Sequence, residues 1–211
     1  MRSVSCIVDS DTPLVLDSSV FVNLSATGFA DKILDAIPME VVMPAQVISE
    51  LKRSIKQGYN DAIALLPLLE DGIVASLDIP RRAHSDFISL VSGPSMSSLS
   101  DGEAATIAIS QVLKAWAAID DRKSRRVCAE RFRHLKLASS VDIISHCDVV
   151  DAFSERELAA ALLAALEVAH MEVEDRHVRW VGRCIGFEKL NASTTLPRKL
   201  RERLMSGFDG R

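Results

Sequence analysis

Six carboxylates set the chemistry open to this chain: Asp17, Glu50, Asp101, Glu103, Asp120 and Asp121. Asp17 follows the apolar run Leu14-Val15-Leu16, and the pair Asp120-Asp121 follows the apolar stretch 115–119. Both positions are where a buried parallel strand would end, the edge at which ligands bind in open α/β sheets. Glu50 falls in a helix that begins at that edge. Asp101 and Glu103 fall in the first turn of a helix leading into the fourth strand. Carboxylates gathered away from water repel one another strongly, so such a cluster calls for divalent cations. Oxygen donors without Cys or His favour Mg2+ or Mn2+. Two such ions about 4 Å apart can activate water and stabilise the leaving oxygen of a phosphodiester.

Each acid has a plainer reading as well. A strand-end Asp17 is a common turn residue, and the two serines after it can cap a helix. Ser100-Asp101-Gly102-Glu103 is a capping box, in which Glu103 satisfies a backbone donor. Glu50 beside Lys52 and Arg53 suits a solvated helix, and Asp120-Asp121 suits an N-cap. Taken singly each is weak; their joint placement carries the weight.

The elements that would position them alternate strand with helix, the signature of a parallel sheet covered by helices. Strands are expected over 14–16, 40–43, 73–77, 115–119 and 141–144, with a short edge strand over 4–8. Helices are expected up to residue 37, from Pro44 at a first turn to Gly58, and over 61–69, 81–91, 101–114 and 122–135. Residues 92–100 form a loop. Beyond Ser154 the pattern changes. Ser154 and Glu157 form a capping box that opens an alanine-rich helix to about residue 170, followed by a helix over 173–185 and a polar, basic tail. The expected organisation is residues 1–154 as one α/β/α unit and 155–211 as a helical extension that packs on it or forms a dimer interface. Glu167, His170, Glu174 and His177 recur at helical spacing, but a bundle metal site would need more helices and carboxylates. They read as an exposed helical face.

The 211 residues suffice for one full core and an appendage. A net charge of −4 argues against wholesale coating of a polyanion but leaves room for a local basic face. Cys6, Cys128, Cys147 and Cys184 are scattered without zinc-site spacing, which suits reduced thiols. No signal peptide is visible, and the longest apolar segment, starting at residue 158, is broken by Glu167 and too short to span a bilayer. The expectation is a soluble, cytoplasmic protein.

Four stretches, in order, resemble the PIN-domain nucleases, including the VapC-type ribonuclease toxins of toxin–antitoxin pairs. They are Leu14-Val15-Leu16-Asp17-Ser18-Ser19-Val20-Phe21-Val22-Asn23, then Val47-Ile48-Ser49-Glu50-Leu51. Next come Leu99-Ser100-Asp101-Gly102-Glu103-Ala104-Ala105-Thr106-Ile107-Ala108-Ile109 and Ala118-Ile119-Asp120-Asp121-Arg122-Lys123-Ser124-Arg125-Arg126-Val127-Cys128-Ala129. The resemblance covers residues 13–150 and implies an α/β/α sandwich with a mostly parallel sheet and metal-dependent endoribonuclease activity. It implies Asp17, Glu50, Glu103 and one of Asp120 or Asp121 as the metal-binding acids, with Asn23 in support. It also implies RNA as substrate and an antitoxin protein as partner, and leaves residues 155–211 unexplained.

The basic run from Arg122 through Lys123, Arg125 and Arg126 begins beside those acids and suits RNA phosphates, or else a solvated helix face. By the same resemblance, Arg125 and Arg126 match a recurrent family position and are expected as structural partners of the carboxylates. Two rivals stand beside the nuclease. One is a catalytically silent PIN-like module that binds nucleic acid or protein; the other is a hydrolase using Asp17 as nucleophile.

Overall fold

The computed structural model describes residues 2–8, 11–58, 63–92 and 98–206. Three apolar residues between Pro13 and Asp17 make β1 (Leu14–Leu16), every side chain of it buried. Asp17 ends the strand and caps α1 (Ser18–Ala26), so the helix is capped by the acid rather than by the serines. α2 (Ala30–Ala36) follows, then β2 (Val41–Pro44). Pro44 closes that strand as the N-cap of α3 (Ala45–Lys56), one position before the first-turn place expected for it. α4 (Leu65–Glu70) leads to β3 (Val74–Leu77), and a 3-10 turn (Arg81–Ala83) runs into α5 (His84–Val91). α6 (Asp101–Leu113) starts at the Ser100/Glu103 capping box, and Lys114 ends it in the left-handed conformation at φ 54°. That tight end delivers the chain directly to β4 (Trp116–Ala118), then α7 (Arg122–Arg131) and β5 (Lys136–Ala138). The rest is helical: α8 (Ser140–Ile144), α9 (Cys147–Ala152), α10 (Glu155–Val168), α11 (Asp175–Ile185), α12 (Phe187–Ala192) and α13 (Arg198–Met205).

The five strands form one sheet in the order β3-β2-β1-β4-β5, all neighbours parallel. Leu16 stands opposite Ala118 in register, so Asp17 and the Asp120 turn leave the sheet side by side. The order reverses direction between β1 and β4, which opens a crevice at their carboxyl ends. Alternate residues of β4, and Ile119 just after it, face opposite layers: Trp116 and Ala118 join one apolar cluster, Ala117 and Ile119 another. Burial on both faces is what a three-layer α/β/α sandwich demands of its central strands. On one face Val15 meets Ile109 of α6. On the other, Leu14 and Leu16 share a cluster with Leu158, Leu162 and Ala165 of α10, Val181 of α11 and Leu204 of α13. The C-terminal helices therefore rest on the same core as the first strand.

Two expectations change. Residues 141–144 are not a strand but part of α8, because Ser139 and Asp142 form a capping box and the true last strand is Lys136–Ala138. Residues 4–8 form no strand. The helix expected over 61–69 is seen from Leu65; residues 61 and 62, like 93–97 of the expected loop, lie outside the described residues. Among the described residues, no helix is long and apolar enough to cross a membrane. All four cysteines are free thiols.

Candidate metal centre at the carboxyl edge of the sheet

Asp17 is 1% exposed. Its Oδ2 accepts from the Ser19 N–H (3.2 Å) and hydroxyl (2.7 Å). Its Oδ1, shut off from solvent, has no hydrogen-bond partner among the described residues. Burial raises this carboxyl to about 6 against the Ser19 bonds, and the charge of Glu103 pushes the same way. A buried carboxylate oxygen left without a donor is unstable unless something outside the chain satisfies it.

Glu50 reaches the same edge from α3. Its Oε1 accepts the Gly102 N–H in the first turn of α6 at 3.1 Å, a helix N-terminus receiving an anion. Burial raises its carboxyl too; the charges of Asp101 and Glu103 add to that, while the Gly102 bond and Arg53 oppose it. Glu103 closes the capping box, its Oε2 accepting from the Ser100 N–H at 2.8 Å. Asp101 is exposed and shares a small recess with Glu50 and Arg53.

The adjacent aspartates divide. Asp120 turns towards the sheet edge. Its Oδ2 accepts from Asn23 Nδ2 (2.6 Å) and the Ser140 hydroxyl (2.5 Å), and its Oδ1 from the Ser140 N–H (3.0 Å). Burial raises its carboxyl, with the Ser140 and Asn23 bonds and Arg125 pulling the other way. Asp121 turns away and caps α7, accepting the Ser124 N–H at 2.7 Å. A recess of about 380 Å³ beside Glu50 is bordered by Ser18, Ser19, Asn23 and Ala169. Ser140 is the residue that sequence reasoning missed: it lies just before the stretch 141–144 taken for a strand and in fact opens α8.

The basic run is also divided. Arg122 is 84% exposed and pairs with Glu172 at 2.6 Å, and Arg126 is exposed. Lys123 donates to the Ser98 carbonyl at 2.5 Å. Arg125 points inward: Nη1 donates to the carbonyls of Ile119 (2.8 Å) and Ala138 (3.2 Å), and Nη2 pairs with Glu174 (2.9 Å). It holds the ends of β4 and β5 together.

His177 is not on an exposed face. It is fully buried, with Nε2 3.1 Å from Asp142 Oδ1, because α11 packs its apolar side into the core. Glu167 accepts from the Ser193 hydroxyl, and His170 lies beyond the end of α10. Asp142, Glu174 and His177 could together ligate an ion, as could His146, Cys147 and Asp148. In the first trio Arg176 and Arg125 already neutralise the acids, Arg176 reaching Asp142 at 2.6 Å and Glu174 at 2.9 Å. The four edge acids stand further apart than either trio. They also have fewer cationic partners. An orphaned oxygen, raised carboxyls and all-oxygen donors fit hard divalent cations.

A family model described as a PIN domain matches residues 13–173. No curated protein and no solved structure matches the chain.

Proposed function

We propose that this chain, which belongs to the PIN-domain family, is a metal-dependent endoribonuclease that hydrolyses RNA phosphodiester bonds. The observation that carries the reading is the orphaned Oδ1 of Asp17, buried at the switch point of a parallel sheet on a carboxyl raised to about 6. Asp17, Glu50, Glu103 and Asp120 would hold Mg2+ or Mn2+. When bound, these ions supply a nucleophile at neutral pH and neutralise charge on the leaving oxygen. Asn23 and Ser140 orient the Asp120 carboxylate. Asp101 adds negative charge beside Glu50, and Asp121 keeps α7 starting at the site. Arg122, Lys123 and Arg126 lie on the helix leading away from it and suit successive RNA phosphates, whereas Arg125 fixes the edge itself. The sequence resemblance to toxin ribonucleases adds an antitoxin protein to the reading, and we complete it with a homodimer and a cytoplasmic location.

Purified protein is expected to cut RNA with Mg2+ or Mn2+ and to melt at a higher temperature when either ion is present. Asp17→Asn removes both effects with the fold intact. Cleavage unchanged by that substitution would overturn the assignment. A folded protein indifferent to both ions would leave the silent binding module standing.

A further inference from the structure

We propose that Gly102 is a positioning residue for Glu50: the bare first turn of α6 holds the Glu50 carboxylate, and any side chain at 102 evicts it. The inference rests on the reading of Glu50 as a cation ligand. Gly102 is buried in ordinary helical backbone, so its conformation does not call for glycine. Glycine is in fact a poor helix former. What calls for it is space. A Cβ at 102 would stand 2.6 Å from Glu50 Oε2 and 3.1 Å from both Oε1 and Cδ. Its three nearest heavy atoms would all belong to that one carboxyl group.

The same residue also supplies the N–H that Oε1 accepts. The carboxylate therefore lies against the turn, held by the backbone and admitted by the missing side chain. Asp101 and Glu103 flank this glycine in the chain, and Glu50 is the acid whose carboxylate accepts its N–H. A methyl group at 102 meets the flexible end of a side chain rather than a fixed backbone. The carboxylate is what moves, and the helix stays. Gly102→Ala thus separates the site from the fold.

Two measurements decide it. In metal-free protein, hydrogen exchange of the residue 102 amide is read at a single pH, since a first-turn helix N–H has no intrahelical partner to protect it. The wild-type amide should be protected and Glu50→Ala should remove that protection; without it, the contact is absent and the inference fails. Mn2+ binding is then read from the loss of the free-ion electron paramagnetic resonance signal. Gly102→Ala should bind Mn2+ about 10- to 100-fold more weakly, while its metal-free melting temperature equals or exceeds that of the wild type. In a Glu50→Ala background the same substitution should change nothing. Wild-type affinity in Gly102→Ala overturns the proposal. A wild type that binds no Mn2+ overturns the metal reading of the edge and the proposal with it, and the amide protection separates that failure from a missing contact.

Discussion

Asp120 and Asp142 both take hydrogen bonds from the Ser139-Ser140 pair, yet they are opposite kinds of acid. Ser139 gives Asp142 its N–H (2.9 Å) and hydroxyl (2.8 Å). Cys6 N–H from the N-terminal segment, and Arg176 and His177 from α11, complete the shell from two other stretches of chain. Burial alone would raise the Asp142 carboxyl, but the bonds from His177 and Ser139 and the His177 charge hold it well below the usual carboxylate range. Ser140 serves Asp120, whose carboxyl stays raised, as do those of Asp17 and Glu50. An acid held low by partners within the chain is a finished joint. Asp120 stays raised although both its oxygens are bonded, and Asp17 has an open Oδ1, half of an interaction whose other half would come from outside on the proposed reading.

The largest test of that contrast is to neutralise one acid of each kind. Asp142→Asn should cost about 3–5 kcal/mol, because it leaves Arg176 and His177 packed against a neutral group. Asp17→Asn should leave metal-free stability unchanged or raised while cleavage disappears. Urea unfolding at neutral pH reads both, and equal losses would erase the distinction.

Acid titration sharpens it. Asp17 has a folded value of about 6, above the ordinary 3.8, so the folded state binds its proton more tightly. On that account stability falls as pH rises from 3.8 to about 6, by on the order of 1–3 kcal/mol. For Asp142, held low, the contribution is whole above its ordinary 3.8 and is lost as pH falls below it. Melting curves should therefore show the Asp17→Asn gain growing up to about pH 6, and the Asp142→Asn deficit shrinking only below about pH 4. Parallel profiles would refute the contrast.

Smaller effects separate neighbours. Asp121→Ala should remove a cap worth about 1 kcal/mol and leave cation binding in place. Asp120→Ala should abolish the cation-induced rise in melting temperature. The reverse pattern would exchange their roles. Smallest is Arg122→Ala, whose ion pair is solvent-exposed on both sides. It should change stability by no more than about 0.5 kcal/mol, while the salt slope of RNA binding drops by about one.

Much of this was legible in the sequence, for reasons visible residue by residue. β1 reads directly because three buried apolar residues end at a capping acid, and α6 and α10 read from their Ser-x-x-Glu boxes. The last strand did not read, since Val141, Ile143 and Ile144 are buried all round in a short helix that looks like a strand by hydropathy. The deciding signal, Ser139 three residues before Asp142, was present but lay outside the apolar run. His177 was misjudged because its partner is 35 residues away in the chain. The Asp120–Asn23–Ser140 bonds join three separate elements in the same way, and no spacing announces them.

The reach of the Asp142 carboxyl bears on where this polypeptide can be trimmed. The family-matched span, residues 13–173, leaves out Cys6 on one side and Arg176 and His177 on the other. A fragment cut to that span would leave the Asp142 carboxylate with only Ser139 of the four residues that hold it. The span the family model recognises is narrower than the set of residues this one carboxylate draws together.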